Sequence, residues 1–269
     1  MLPGLITIQT TRKKIGTRLL QFESVTSTNT WLFEHPEYLD MDGLVIQAAY
    51  QTAGKGRNQR AWLSGTQKHL FCSLVTHLPY TNENIASITL LAGLAINKAL
   101  RKLTDIPFEI KWPNDILIGK HKICGILCEM KLQNVKGQPI IIVGFGININ
   151  GDLDQYPKEL QNKVTTLQML TNKQYNIEEI RESVLNEFEM IYQTSIDSGL
   201  KTIIEEWEQL SCSIGKEIYF EQVGIKLAGE IIGLNQNGHL QVRTSNSDEI
   251  LSVLSGEIEY IDPFYDKNN

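Results

Sequence analysis

Lys111-Trp-Pro-Asn-Asp-Ile-Leu-Ile-Gly-Lys-His-Lys-Ile-Cys-Gly-Ile-Leu-Cys-Glu-Met-Lys131 is the stretch on which the fold turns. Phe108–Trp112 reads as a short strand, with Pro113 holding Trp112 extended. Asp115–Ile118 and Lys122–Lys131 read as two further strands around a Gly119-Lys120-His121 turn. If the first segment is extended, Lys111, Pro113 and Asp115 share one face, and a cation and a carboxylate project together. A surface ion pair at a strand end fits the same residues. In the longer strand Lys122, Cys124, Ile126 and Cys128 alternate with Ile123, Gly125, Leu127 and Glu129. A glycine in mid-strand marks close approach of a ligand or another backbone. An edge strand opened by an exposed lysine fits equally.

Working outward, Pro139–Asn150 (PIIIVGFGININ) is the most apolar strand, with Gly137 and Pro139 marking the turn before it. Gly144 and Gly146 clear one of its faces, and Asn148 and Asn150 continue that face with polar groups; a twisted or bulged strand is the alternative. Upstream, Arg18–Glu23, Gly43–Tyr50 (GLVIQAAY) and His69–Thr76 (HLFCSLVT) read as strands. Asn84–Leu103 carries apolar residues at helical spacing. Asn176–Thr194 opens with a candidate cap, Asn176, and Glu179 three residues later, so it reads as a helix. Gly199–Leu210 reads as a second. After Cys212 the texture changes to short β-like runs: Glu217–Phe220, Ile225–Leu234, His239–Arg243, Ile250–Leu254 and Glu257–Ile261. Turn residues at Val223-Gly224 and Asn237-Gly238 separate them. A small barrel is expected there, dividing the chain into domains 1–212 and 213–269.

Two more segments invite chemistry. Gln51-Thr-Ala-Gly-Lys-Gly-Arg-Asn-Gln-Arg60 follows a strand and sets Gly54 and Gly56 among Lys55, Arg57 and Arg60. Glycines let the backbone approach a ligand, and the cations can neutralise phosphate. A solvated basic hairpin is the competing reading. Ser27-Thr28-Asn29, before Trp31-Leu32-Phe33, supplies preferred helix caps; capping and ligand contact are compatible, because a helix start presents N–H donors.

Composition narrows the rest. With 269 residues, 42% hydrophobic and 21% charged, the chain is neither disordered nor fibrous. A net charge of −6 and no helix-turn-helix pattern before Arg18 argue against DNA binding. No apolar run is long enough to span a membrane, and Met1–Gln21 lacks the form of a secretory signal. A cytoplasmic chain with reduced Cys72, Cys124, Cys128 and Cys212 is therefore expected. The loop after Gln51 is neither a P-loop nor a dinucleotide fingerprint. His35, His69, His77, His121 and His239 show no zinc spacing. Cys124 and Cys128, about 13 Å apart on a strand, read as core or semi-buried thiols rather than a metal pair. No GxSxG elbow is present.

The order of a Gly-rich basic loop, KWPND, KICGIL and GFGINI resembles the biotin protein ligase family, in its short form without an N-terminal DNA-binding domain. KWPND followed by K-x-x-G-I-L is the specific part, and the likeness covers nearly the whole chain. It implies an α+β fold: a mixed β-sheet backed by helices, similar to class II synthetases, with a small C-terminal SH3-like β-barrel. It implies ATP-dependent formation of biotinyl-AMP with release of pyrophosphate, then transfer of biotin to a lysine of a biotin carboxyl carrier protein. ATP with Mg²⁺ on its phosphates is the implied cofactor, and a monomer or homodimer the implied state. Ser27, Thr28, Asn29, Gln51, Gly54, Lys55, Gly56, Arg57, Lys122, Gly125, Leu127 and Gly144 match biotin-binding positions. Lys55, Arg57, Arg60, Trp62, Lys111, Asn114, Lys122 and Asn148 match nucleotide positions. Lys122 and Arg57 are the implied catalytic cations, and Asp115 the carboxylate that meets the acceptor lysine. The family loop is close to GRGRxGR; here Lys55 replaces an arginine and Gln59 a glycine, and Phe145 stands where a smaller residue is common. The rivals are a lipoate or octanoate ligase of the same fold, against which the Gly-Lys-Gly-Arg loop and KWPND speak, and a non-catalytic biotin sensor, against which Arg57, Lys122 and Asp115 speak.

Overall fold

The computed structural model describes residues 6–9, 12, 14–65, 68–77, 85–135, 138–222, 224–247, 249–254 and 258–261. Asn84, Gly137, Val223 and Glu257, each part of an expected boundary or turn, lie outside them. In chain order the elements begin with β1 (Ile6–Gln9), β2 (Arg18–Val25), α1 (Thr28–Glu34), β3 (Leu44–Gln51), β4 (Leu70–Thr76) and α2 (Ile85–Thr104). There follow β5 (Glu109–Lys111), β6 (Asp115–Ile118), β7 (His121–Val135), β8 (Gln138–Ile147), α3 (Lys158–Gln161), α4 (Leu167–Thr171), α5 (Ile177–Ser198) and α6 (Lys201–Gln209). The chain closes with β9 (Glu217–Gln222), β10 (Ile225–Leu234), β11 (Leu240–Thr244), β12 (Ile250–Val253) and β13 (Ile258–Tyr260).

The first eight strands form one sheet in the order β1-β2-β3-β4-β8-β7-β6-β5. β2 and β3 are parallel, and the other neighbours antiparallel. The last five form an antiparallel sheet in the order β12-β11-β10-β9-β13. The expected mixed sheet backed by helices, with a small β unit after it, is the fold observed.

Alternation along β8 shows how the sheet is covered. Ile140 and Ile142 join Phe22, Trp31, Leu32 and Ile46 beneath α1. Ile141, Val143 and Phe145 face the larger cluster, built with α2, α5 and α6. A strand buried on both faces reads as a continuous apolar run, and all of β4 is buried. Asn176 caps α5 by accepting from the N–H groups of Glu178 and Glu179, as its position suggested. Gly199, at φ 75°, follows the helix end. The large cluster runs on into Ile218, Phe220, Val242 and Tyr260, so the two sheets share apolar packing.

Three details correct the sequence reading. β5 ends at Lys111, and residues 112–114 form a turn with a cis Trp112–Pro113 peptide, so this segment is not extended. Backbone bonding holds the turn: Ile126 N–H donates to Asn114 C=O at 2.9 Å. Lys111 and Asp115 are instead register partners across the β5–β6 pair. Cross-strand partners share a face, so the two residues still lie on one side. Next, the pairing of β6 with β7 slips between Ile116 and Leu117, so strict alternation fails at the start of β7. Lys122 Nζ consequently lies 3.1 Å from where a Cβ on Gly125 would stand, on the glycine face rather than the Cys124 face. Finally, β8 stops at Ile147; Asn148 and Asn150 lie beyond it, bonded to Ile123 C=O and Lys68 C=O through their N–H groups.

Candidate active site

Register assembles the site on the α1 face of the large sheet. Ser73 of β4 pairs with Gly144 of β8, which pairs with Leu127 of β7. One row along, Gly146 pairs with Gly125, and Gly125 with Asp115 of β6. The three glycines hollow the sheet surface. A Cβ on Gly146 would come within 2.5 Å of the Trp62 indole, one on Gly125 within 2.6 Å of the same ring, and one on Gly144 would strike the Asn29 amide. The resulting cleft has a volume of about 290 Å³.

One end of the cleft is polar and uncharged. Ser27 is the N-terminal flanking residue of α1, but its side chain makes no capping bond. The neighbouring side chains are engaged in a buried network instead. Gln51 Oε1 accepts from Thr28 N–H at 2.8 Å and from Thr28 Oγ1 at 3.3 Å. Ser73 Oγ donates to Asn29 Oδ1 at 2.5 Å and bonds the Thr28 hydroxyl at 2.7 Å. Asn29 Nδ2 donates to Glu129 Oε2 at 2.7 Å and to Leu127 C=O at 3.2 Å. Thr28 and Asn29 thus serve this network rather than helix capping, and Ser27 lines the cleft beside them.

The other end is cationic. Lys55, Arg57, Arg60, Lys122 and Lys163 line the cleft against a single lining carboxylate among the described residues, Asp115, in a chain whose net charge is −6. The basic segment is a closed loop, with Lys55 bridged to Ala61, Gly56 N–H donating to Arg60 C=O, and Trp62 N–H donating to Gly54 C=O at 2.8 Å. A Cβ on Gly54 would meet the Trp62 carbonyl oxygen at 2.5 Å, so this close approach needs glycine. Asn58 and Gln59 sit at φ 54° and 59°. Gln59 occupies a left-handed conformation that a glycine adopts more easily, which is what its departure from the family loop entails.

Lys122 Nζ stands 2.6 Å from Asp115 Oδ1 and 5.2 Å from the centroid of the Trp62 ring. Its backbone is fixed on both sides: Lys122 N–H donates to Lys163 C=O, and Thr165 N–H donates to Lys122 C=O. Asn148 Nδ2 reaches the same Lys122 carbonyl at 3.4 Å. Asn114 lines the cleft and ties its turn to β7 by donating from Nδ2 to Ile126 C=O at 2.7 Å.

Of the expected site residues, Gly54, Lys111 and Asn148 are not among those lining the cleft. Gly54 and Asn148 hold neighbours that are. Lys111 is buried, with its ammonium 4.5 Å from the centroid of the Tyr260 ring. Sequence reasoning missed Ser73, Glu129 and the segment Leu160–Val164, which closes one wall. A serine inside the buried run HLFCSLVT was the available signal for Ser73, since buried hydroxyls take partners. The cysteines are free thiols. Burial pushes Cys72 and Cys212 up to about 12 and raises Cys124 as well, which removes them from thiolate chemistry.

Residues 21–148 match the model of the biotin/lipoate A/B protein ligase family. The bifunctional ligase/repressor BirA of Bacillus subtilis is 29% identical over 245 residues, covering 91% of this chain and 74% of the relative. A point mutant of the biotin protein ligase from Aquifex aeolicus, solved in complex with biotin, is 30% identical with a TM-score of 0.75. The match covers 90% of this chain and 97% of that one. The Aquifex aeolicus enzyme solved with biotin and ATP gives a TM-score of 0.74 at 28% identity, with the same coverage.

Proposed function

This chain belongs to the biotin/lipoate A/B protein ligase family, and from that premise we propose that its cleft is the active site of a biotin protein ligase. The enzyme activates biotin with ATP to biotinyl-AMP, releases pyrophosphate, and passes the biotinyl group to a lysine of a biotin carboxyl carrier protein. One observation carries the assignment of the cleft: hydrogen-bonding neutral groups at one end, cations at the other, and glycines between them. A ureido ring needs donors and acceptors, a valeryl chain needs an apolar wall such as the Trp62 ring packed on Gly125 and Gly146, and a carboxylate beside a triphosphate needs positive charge.

In this reading Gln51, Thr28 and Asn29 receive the ureido group. The acyl chain lies along the Trp62 indole, for which Gly125 and Gly146 clear the sheet surface. Lys122 neutralises the biotin carboxylate and the α-phosphate as they approach, and Arg57, with Lys55 and Arg60, draws charge from the outer phosphates. No protein nucleophile is required: the carboxylate oxygen forms the bond to α-phosphorus while pyrophosphate leaves. The chain's contribution is alignment and charge stabilisation. Among the described residues no three His, Cys, Asp or Glu side chains gather into a metal cage. Mg²⁺ would enter with the ATP phosphates, whose charge it would neutralise.

Asp115 has a second task in the transfer step. An acceptor lysine with an ordinary pKa of about 10.4 arrives as an ammonium and must lose a proton before it attacks the anhydride. Asp115 already binds one ammonium, that of Lys122. It can bind the second once phosphate has drawn Lys122 away. The acceptor domain is proposed to dock beside this edge, near the junction with the 213–269 unit, and a monomer or a homodimer would present the cleft alike. No helix among the described residues is long and apolar enough to cross a membrane. We assign the enzyme to the cytoplasm, where carboxylase carrier domains and reduced thiols coexist.

Pyrophosphate release tests the proposal, with ATP, Mg²⁺ and either biotin or lipoate. Release with biotin alone, lost in Lys122→Ala, is expected. Release with lipoate alone would reassign the substrate. Biotin binding without any release would leave a sensor in place of an enzyme.

A further inference from the structure

We propose that Glu129, which does not line the cleft, is the positioning residue that sets the hydrogen-bonding polarity of its ring-binding end. The inference rests on the biotin reading above and goes beyond it by naming what orients Asn29. An amide side chain can present either its oxygen or its nitrogen to a neighbour, and only its partners decide which. For Asn29 both partners on the nitrogen side are pure acceptors, the Glu129 carboxylate at 2.7 Å and the Leu127 carbonyl at 3.2 Å. Turning the amide over would set its oxygen against both. The Asn29 oxygen therefore stays on the Ser73 side, where it accepts from Oγ at 2.5 Å, and it is the Asn29 atom closest to the space cleared by Gly144.

The same logic passes along the row. Ser73 has one hydroxyl proton, which goes to Asn29 Oδ1 because that atom can only accept, while Thr28 Oγ1, 2.7 Å from Ser73 Oγ, carries its own proton. Gln51 Oε1 is occupied by Thr28 N–H, which leaves the Gln51 amide nitrogen as the group able to donate. Acceptor oxygens on Asn29 and Thr28 and a donor nitrogen on Gln51 suit a cyclic head with N–H donors and a carbonyl. They offer nothing to a dithiolane ring. Glu129 anchors this arrangement because a carboxylate is acceptor-only and charged, whereas a neutral amide in its place can face Asn29 with either N–H or C=O and leaves the weaker 3.2 Å bond to Leu127 C=O as the one fixed acceptor. Asn29, Ser73 and Thr28 are buried, so a wrong orientation is not rescued by water.

The test is Glu129→Gln, a change of nearly the same shape, with steady-state biotin and ATP kinetics. The expected result is a rise in biotin KM on the order of ten-fold or more, a much smaller change in ATP KM, and retained kcat at saturating biotin. A Glu129→Gln enzyme with unaltered biotin KM, an equal rise in ATP KM, or a lowered melting temperature with no KM change would overturn the inference. No pyrophosphate release from the native enzyme with biotin would instead overturn the parent reading, so the two failures are distinguishable.

Discussion

The Lys122 ammonium lies 2.6 Å from Oδ1 of Asp115, so the proposed adenylation cation and the proposed transfer carboxylate begin as partners. Both side chains are partly exposed to the cleft, and a polyphosphate entering it competes with Asp115 for Lys122. This coupling separates the two half-reactions. Lys122→Ala should lower pyrophosphate release by about 10²- to 10³-fold, the usual effect of removing one preorganised charge donor. Asp115→Asn should spare pyrophosphate release far more than transfer from preformed biotinyl-AMP to carrier protein. Single-turnover assays of each step check this; equal losses in both would place Asp115 in support of Lys122 alone.

The glycine floor predicts a graded steric series. Gly144→Ala drives a methyl into the Asn29 amide, and Gly146→Ala drives one to 2.5 Å from the Trp62 indole nitrogen. Asn29 is held by its hydrogen bonds and Trp62 lines the cleft, so neither can yield without disturbing it. Biotin affinity should fall at least ten-fold in each. Gly56→Ala is the contrast: its Cβ would find nothing nearer than 3.4 Å, and the folded loop should accept it. Calorimetric titration with biotin, beside a thermal melt, separates lost affinity from lost fold.

These residues also show where the sequence was readable. The glycine rows were visible because strand alternation places Gly144 and Gly146 on one face whatever the partners are. The basic loop and Asn176 were visible for the same reason, as local chemistry with local consequences. Lys122 was found, but its face was misjudged, since the bulge opposite Ile116 and Leu117 depends on a neighbouring strand. KWPND was read as extended, and the turn at 112–114 depends on Asn114 bonding to β7. Glu129 looked like one more member of an alternating strand. Its partner Asn29 lies a hundred positions away, and no periodicity reports such a pair. The segment around Lys163 has no pattern at all; only its pairing with Lys122 brings it to the cleft.

The junction between the two sheets is a second source of prediction. Ser213 Oγ accepts from Trp112 N–H at 2.9 Å and bonds Tyr260 Oη at 2.6 Å, while Lys111 rests over the Tyr260 ring. The C-terminal unit thereby clasps the turn that delivers Asn114 and Asp115 to the cleft. Ser213→Ala strands a buried backbone N–H and should cost about 1–3 kcal/mol, whereas Tyr260→Phe removes one net hydrogen bond and should cost about 1 kcal/mol. The proposed division near residue 212 then marks a change of architecture and not an independent folding unit. A chain ending at Cys212 should melt well below the intact protein in a thermal scan, since the apolar cluster continues across the junction.

Acid sensitivity should centre on His69. The ring is buried, its Nδ1 accepts from Ile149 N–H at 3.1 Å, and its Nε2 faces Gln155 Oε1 at 3.2 Å. Burial, the largest influence, pushes its pKa down from 6.5 to about 4, against the opposing hydrogen bond to Gln155. Above pH 6.5 neither the folded nor the unfolded chain protonates this ring, and its contribution to stability is complete. Between 6.5 and about 4 the unfolded chain takes up a proton that the folded one refuses, so stability falls as pH falls. Below about 4 both states are protonated and the loss stops growing, at about 3 kcal/mol. Urea denaturation at closely spaced pH values across this window measures the slope. His69→Gln, which lacks the titrating group, should be less stable at pH 7.5 yet lose less between pH 6.5 and 4. A slope identical in both proteins would assign the acid sensitivity to other groups.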